Sequence, residues 1–356
     1  MQEKPGQATA NILYRGMYDQ KRDSVLPSVP GVLPPMPDSF PRDRMGLAKW
    51  LVDPSNPLVA RVMVNRLWQE IFGTGIVKTA EDFGSQGQPP SHPELLDWLA
   101  VEFRESGWDV KKLIKLMVTS ATYKQEAINT PEKTAKDPEN RMLSRGPRFR
   151  LDGELVRDYA LAASGLLVRN VGGPSVKPYQ PEGVWETVAM QGSNTRFYKA
   201  DTGEKLYRRS LYTFWKRSAP PPSMDIFNAP TREGCTVRRE RTNTPLQALV
   251  VMNDPQFVEA SRRLAQEAIH GSKDFNKRLD ILAFRVLARS FEAKERDVLK
   301  RAYTDLKSHY QNHSEEARKL LAVGESKADA AIAPVEFATW TMLASDLLNL
   351  DEALNK

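Results

Sequence analysis

Apolar residues recur at helical spacing in one segment after another of this 356-residue chain. In the segment NPLVARVMVNRLWQEIFGTG they share one side of a helix, and Gly73 marks its end. The periodicity predicts helices near residues 57–72, 92–105, 110–122, 152–168, 245–269 and 334–349. We therefore expect a mainly α fold, a multi-helix bundle.

Polar residues that cap helices support several of these boundaries. Asp109 precedes the amphipathic segment VKKLIKLMVTSATY, and Asp152 precedes GELVRDYALAASGLLV, so both are predicted N-caps. Ser91 and Glu94 are three residues apart before an apolar run, which is the spacing of a capping box.

The chain changes character from Gly172 to Gly192, which is rich in glycine, proline and aromatic residues. After it, residues that favour strands flank the sequence Asp201-Thr202-Gly203, which predicts a β-hairpin around residues 195–214. We expect one small hairpin and a long irregular crossover beside the helices.

The segment from Tyr207 to Pro255 is the least generic part of the sequence. It contains eight cations among aromatic residues and a stiff proline run, unlike a disordered basic tail. The cations are Arg208, Arg209, Lys216, Arg217, Arg232, Arg238, Arg239 and Arg241. They need partners, which are either internal carboxylates or an external anion.

Arg238, Arg239, Arg241 and Asn243 are the main candidates for ligand binding. They precede a predicted helix that begins near Pro245, and a helix N-terminus favours an anion. The alternative is an internal network with carboxylates such as Glu233, Glu240, Asp254 or those of the earlier helices. Because side chains alternate along an extended segment, the three arginines cannot all reach one anion, and at least one should bind an internal carboxylate.

Arg61, Asn65 and Trp68 form a second candidate group for ligand binding. Their spacing places them on one face of a helix. The alternative is a helix-to-helix contact with a hydrogen-bonded arginine.

Asp82, His92 and Glu94 are the catalytic candidates, because together they could form an acid–base cluster. The capping box would give Glu94 a structural role instead. No nucleophile elbow, phosphate loop, dinucleotide fingerprint or metal-binding motif occurs, so no cofactor and no metal are predicted. Whether the chain is an enzyme stays open at this point.

Charge and composition narrow the class of partner. The formal charge of +6 arises from 51 basic and 45 acidic residues, so most cations have a potential carboxylate partner and nucleic acid is not expected. The single cysteine, Cys235, excludes an intramolecular disulfide. No apolar run is long enough for a transmembrane segment, and residues 1–10 lack the pattern of a signal peptide.

Six prolines between Val25 and Pro41 are typical of a semi-rigid linker. We therefore predict a Pro-rich N-terminal linker at residues 1–42 and a single large helical domain at 43–356, with a sub-division near 170–245 left open. The chain would then be the C-terminal piece of a longer protein.

Three blocks resemble a known family: NRLWQEIFGTGIVKTAEDFGSQGQPPSHPELLDWLA, LYRRSLYTFWKRSAPPPSMDIFNAP and RRERTNTPLQALVVMNDPQFVEA. They are similar to the planctomycete-specific C-terminal domain of unknown function of large proteins that also carry cytochrome c-type domains. The resemblance implies export to the periplasm or cell surface and an upstream cytochrome c-type domain as partner. It implies no reaction, and the chain lacks the Cys-x-x-Cys-His motif of covalent haem attachment.

Together with the basic crossover, the resemblance implies an accessory or binding domain of an exported multidomain protein associated with redox or polysaccharide-related machinery. An anionic polysaccharide is the expected type of ligand. The alternative is a glycan-active hydrolase or lyase that uses carboxylates such as Asp82 and Glu94, which would have to face each other across an open cleft.

Overall fold

The computed structural model describes residue 6 and residues 9–355, and it confirms a mainly helical chain. The chain divides into two compact units, Met1–Arg148 and Phe149–Lys356. The predicted division, with a linker to residue 42 and one domain beyond it, concerns independent folding and stays a prediction.

Within its described residues, the first unit combines one hairpin with five α-helices. Strands β1 (Ala10–Leu13) and β2 (Lys21–Val25) pair antiparallel, with Ala10 opposite Val25, and all their residues are exposed. The helices are α1 (Arg44–Leu51), α2 (Val59–Phe72), α3 (Pro93–Glu105), α4 (Val110–Thr119) and α5 (Pro131–Lys136). Helices α2, α3 and α4 enclose a core that includes Val64, Leu96 and Leu113.

The second unit contains the remaining helices. They are α6 (Gly153–Ala163), α7 (Pro222–Ile226), α8 (Pro245–Asn253), α9 (Pro255–Gly271), α10 (Phe275–Leu287), α11 (Ala293–Asn312), α12 (Ser314–Leu321), α13 (Pro334–Leu348) and α14 (Asp351–Leu354). Helices α9 and α13 make the most extensive pairing, around buried residues such as Leu264, Trp340 and Leu343. Their apolar faces form the main core of this unit.

The predicted helices are confirmed with shifts at their ends. The helix predicted near 152–168 ends earlier, at Ala163. The segment 245–269 forms two helices, because Asp254 caps the second and Pro255 begins it.

The hairpin predicted around residues 195–214 is wrong in its position. Residues Gly203–Tyr207 and Ser210–Tyr212 form 3₁₀ helices instead. Backbone bridges join Arg208 to Val168 and Thr213 to Val176 in parallel, so this segment pairs with an earlier stretch of chain.

Two predicted caps differ from the structure. The N-cap of α3 is His92 rather than Ser91, and Ser91 Oγ donates to the Ile76 carbonyl, so the capping box of Ser91 and Glu94 is wrong. Asp152 occupies the N-cap position of α6, but its side chain makes no cap hydrogen bond. Asp109 caps α4 as predicted, by accepting from the Lys112 N–H at 3.0 Å.

A buried arginine joins α6 to the irregular part of the second unit. Arg157 is 3% exposed and donates to the carbonyls of Leu206 (2.6 Å) and Arg208 (2.8 Å) and to the side chain of Gln256. Burial lowers its pKa to about 10, while nearby carboxylates favour the charged form. This side chain therefore fixes the route of the chain beyond α6.

Within residue 6 and residues 9–355, no helix has both the length and the apolar character needed to cross a membrane.

Candidate functional site

The crossover, which we define as residues 164–244 between α6 and α8, is held largely by arginine side chains. Arg208 donates to the carbonyls of Gly172 and Pro174, and its guanidinium carbon lies 3.9 Å from the centroid of the Tyr212 ring. These contacts fill the hydrogen-bonding needs of an irregular backbone. Arg208 is thus a structural cation.

Arg239 and Arg241 meet the first turn of α6. Arg239 Nη1 lies 2.6 Å from Glu154 Oε2 and 3.6 Å from Asp152 Oδ2. Arg241 Nε lies 3.8 Å from Asp152 Oδ1, and its guanidinium stacks on the Phe149 ring at 4.2 Å. Two arginines separated by one residue thus point to the same side, as the alternation of an extended segment predicts.

Asn243 has an internal partner as well, the side chain of Arg150. Arg150 Nη2 donates to Asn243 Oδ1, and burial lowers the pKa of Arg150, an effect that the carboxylate of Asp351 opposes. Helix α8 follows with Thr244 as its N-cap and Pro245 at its first position. Arg238 is exposed. The structure therefore gives Arg239, Arg241 and Asn243 internal partners and places Arg238 at the surface.

The three catalytic candidates, Asp82, His92 and Glu94, have separate local contacts. Asp82 Oδ1 accepts from the Gly84 N–H at 2.6 Å, which closes a turn. His92 Nδ1 lies 3.0 Å from Ser91 Oγ, and Glu94 is exposed in the first turn of α3. No hydrogen bond or ion pair connects the three residues within the described part of the chain.

The face of α2 is also committed to internal contacts. Arg61 Nε donates to Asp97 Oδ1 at 2.7 Å. Asn65 is fully buried and exchanges hydrogen bonds of 2.8 and 3.0 Å with the backbone of Val77, while Trp68 stacks on Phe72 in the core. These contacts match the packing interpretation. The ligand-binding roles of Arg61, Asn65, Trp68, Arg238, Arg239, Arg241 and Asn243 stay predictions.

A cleft of about 430 Å³ opens in the crossover, within the size range of ligand sites. We call it the lysine cleft. It is lined by Ser175, Lys177, Lys199, Ala200, Asp201, Thr202 and Lys205. Three lysines and a single carboxylate residue thus line the cleft, which gives its lining a net positive charge.

Hydrogen bonds fix the walls of the lysine cleft. The Lys177 N–H donates to Asp201 Oδ2 at 2.7 Å, and the Asp201 N–H donates back to the Lys177 carbonyl at 2.8 Å. The Gly203 N–H donates to Glu325 Oε1 at 2.6 Å. The backbone that carries the lysines is therefore preorganised.

The cations of the cleft are not used by the fold as ion pairs. Lys177 Nζ lies 5.4 Å from the ring centroids of both Trp185 and Phe214, which is a cation–π distance. Lys199 and Lys205 are exposed, and neither makes an ion pair with another residue that the structure describes. The charges of Lys199 and Lys205 are therefore available to a ligand.

Sequence reasoning missed this cleft because its residues have no characteristic spacing. The hairpin prediction treated Asp201 and Thr202 as a turn between strands, and Lys177 lies in a different segment. The only local signal was one lysine on each side of the predicted turn, with acidic and hydroxyl residues between the two lysines.

Among the described residues, no group of three or more histidine, cysteine and carboxylate side chains could hold a metal ion. Cys235 is an exposed thiol in the crossover.

Residues 43–303 match a protein family described as "PSD1: Protein of unknown function (DUF1553)". No curated protein and no solved structure matches the chain.

Proposed function

Since the chain belongs to the PSD1 family of proteins of unknown function (DUF1553), we propose its function from its own geometry: it is an accessory module that binds an anionic ligand in the lysine cleft. The observation that carries this proposal is the convergence of Lys177, Lys199 and Lys205 on one cleft with a single carboxylate.

Electrostatics supports binding of an anion. Cations that line one concave surface raise the local concentration of anions and speed their association. A lysine ammonium is a mobile point charge with three donors, which suits sulfate, phosphate and carboxylate groups of varied geometry. Because the ammonium groups are near the surface, salt should weaken the attraction.

The context of the module is part of the proposal. The resemblance of its sequence blocks to the family supports the proposal that this module is part of an exported multidomain protein, with an upstream cytochrome c-type domain as its partner. An anionic polysaccharide is the ligand that agrees best with both an exported protein and the positive charge of the lysine cleft. The enzyme alternative has less support, because Asp82 and Glu94 make separate local contacts and lie outside the lysine cleft.

A charge-matched pair of variants tests the proposal. Lys199→Gln combined with Lys205→Gln removes two charges from the cleft, whereas Lys294→Gln combined with Lys307→Gln removes two exposed charges from α11. Inorganic sulfate, compared with chloride at equal ionic strength, should raise the melting temperature of the wild type, because a ligand of the native state stabilises it.

The cleft variant should lose this sulfate-dependent stabilisation, and the α11 variant should keep it. Equal losses in both variants would mean that overall charge, not the cleft, attracts the anion. Equal stabilisation of all three proteins would also contradict the proposal.

A further inference from the structure

We infer that the lysine cleft selects an acidic carbohydrate, meaning a sugar that carries both free hydroxyls and a sulfate or carboxylate group. This inference rests on the proposed function and adds that the residues of the cleft themselves require hydroxyls on the ligand beside its anionic group. It follows from Asp201, the one acidic residue that lines the cleft, because a site that binds only anions would not need a carboxylate.

Asp201 places a hydrogen-bond acceptor among the lysines. Its Oδ2 accepts from the Lys177 N–H, and its Oδ1 accepts no hydrogen bond from any residue that the structure describes. A bare anion would be repelled by this carboxylate. A sugar hydroxyl could instead donate to Oδ1, and a hydrogen bond to a charged group is stronger than one between neutral groups.

The remaining polar side chains also suit a hydroxylated ligand. Ser175 and Thr202 line the same cleft, and each hydroxyl can both donate and accept. A ligand with an anionic group for the lysines and hydroxyls for Asp201 therefore uses every polar residue of the lining. Neither inorganic sulfate nor a neutral sugar does so.

The lining disfavours nucleic acid as the occupant. Proteins that bind single-stranded nucleic acid stack its bases on aromatic side chains. No aromatic residue lines the lysine cleft, and the rings of Trp185 and Phe214 are already in contact with Lys177. We therefore assign the cleft to an acidic sugar.

Calorimetric titration of the full chain with four probes tests the inference: glucose 6-sulfate, glucuronate, inorganic sulfate and glucose. The wild type should bind the two acidic sugars more tightly than inorganic sulfate and glucose. The sulfate ester and the carboxylate are separate arms, and their order identifies the preferred anionic group.

The informative variant is Asp201→Asn, because an asparagine oxygen can still accept from the Lys177 N–H. It should weaken binding of the acidic sugars about tenfold, as expected for the loss of a charged acceptor. It should strengthen binding of inorganic sulfate, since the repulsion is removed. Glu204→Gln is the matched control, because Glu204 is an exposed neighbour that does not line the cleft.

The outcomes separate this inference from the proposed function. If no probe binds the wild type, the proposed function fails. If anions bind but Asp201→Asn strengthens all of them alike, the site takes anions without reading hydroxyls, and only the inference is wrong. A short single-stranded RNA that binds more tightly than both acidic sugars would also overturn it.

Discussion

Gly324 shows at the scale of one residue how tightly the second unit is packed. Its φ of +85° favours glycine, and an added Cβ would lie 2.4 Å from Glu259 Cδ. Glu259 cannot move freely, because it is 1% exposed and accepts from the Tyr207 hydroxyl at 3.0 Å and from the Ser326 N–H at 2.5 Å. Glycine is therefore required here for two independent reasons.

We predict that Gly324→Ala lowers the free energy of unfolding by more than about 2 kcal/mol, as backbone strain and overpacking add. Gly183→Ala is the control, because Gly183 has a φ of +83° but nothing within 4 Å of the added Cβ. It should cost only the strain, about 1 kcal/mol. Urea unfolding of both variants measures the difference, and equal costs would show that the contact with Glu259 is unimportant.

Arg239 provides a second prediction for a single side chain. Arg239→Met removes its contacts with Glu154 and Asp152 and should destabilise the second unit by about 1 to 3 kcal/mol. Arg285 is exposed on α10, so Arg285→Met should change stability by less than about 0.5 kcal/mol. Thermal and urea denaturation check this contrast. If the two variants are equally stable, the arginine does not hold the crossover to α6.

Comparison of Asp109 with Asp152 shows what sequence can predict about single residues. Both precede a helix, and only Asp109 uses its side chain as a cap. The carboxylate of Asp152 instead binds arginines about ninety residues later in the chain. A local pattern predicts a cap position but contains no information about such a distant competitor.

At the scale of elements, Arg289 joins three helices. It follows α10 and makes two contacts with Glu295 in α11, at 2.8 and 2.9 Å, and two with Glu352 in α14, at 2.7 and 2.8 Å. Glu295 also accepts from the Glu292 N–H to complete the capping box of α11. Hydrogen bonds from Arg289 lower the pKa of Glu295 from 4.5 to about 2.

This lowered pKa predicts an effect of acid. A carboxyl group whose pKa is lower in the folded state stabilises the fold above pH 4.5, and that stability is lost as the pH falls from 4.5 toward 2. In Glu295→Gln the free energy of unfolding should therefore depend less on pH in this window. Solvent screening keeps the effect modest, because these side chains are partly exposed.

Urea unfolding of the wild type and Glu295→Gln at several pH values measures the difference. Glutamine can still close the capping box, so any loss of cap structure is limited. Glu182→Gln, at an exposed position, should follow the wild type. A wild type and a Glu295→Gln variant with parallel pH profiles would contradict the prediction.

Helices were the most predictable elements because their information is local. Apolar periodicity located α2, α3, α4 and α13 within a few residues. The segment 195–214 also has a local signal, since it contains residues that favour strands. Its hydrogen-bonding partners, however, are Val168 and Val176, and no pattern within the segment could reveal them.

At the scale of the whole molecule, each unit has its own buried core. The cluster that includes Leu96 lies within Met1–Arg148, and the cluster that includes Leu264 lies within Phe149–Lys356. Separate cores are the basis of separate folding domains. The single domain expected from residue 43 onward would unfold as one unit instead.

Leu96→Ala distinguishes these alternatives. It removes a side chain that is 3% exposed and should cost the first unit about 2 to 5 kcal/mol. Native-state hydrogen exchange should then show weaker protection of backbone amides before residue 149 and unchanged protection after it. A uniform loss of protection through both units would support one cooperative domain.

The candidate site was the least predictable part of the molecule. The sequence indicated that cations in the crossover need partners, and Arg239 and Arg241 do bind carboxylates of α6. It did not indicate the lysine cleft, since that requires Lys177 to meet Asp201 across a loop. A cleft formed by irregular backbone has no period that a sequence pattern could reveal.

The hydrogen bonds of Arg157 have a consequence for synthesis of the chain on the ribosome. Its partners lie 49 residues later, at Leu206, and 99 residues later, at Gln256. Until Gln256 has left the exit tunnel, a nascent chain cannot complete this set of bonds, and burial of the guanidinium would be costly. The Arg157 guanidinium must therefore stay in contact with water during translation. The crossover can reach its native arrangement only after the first residues of α9 have left the exit tunnel.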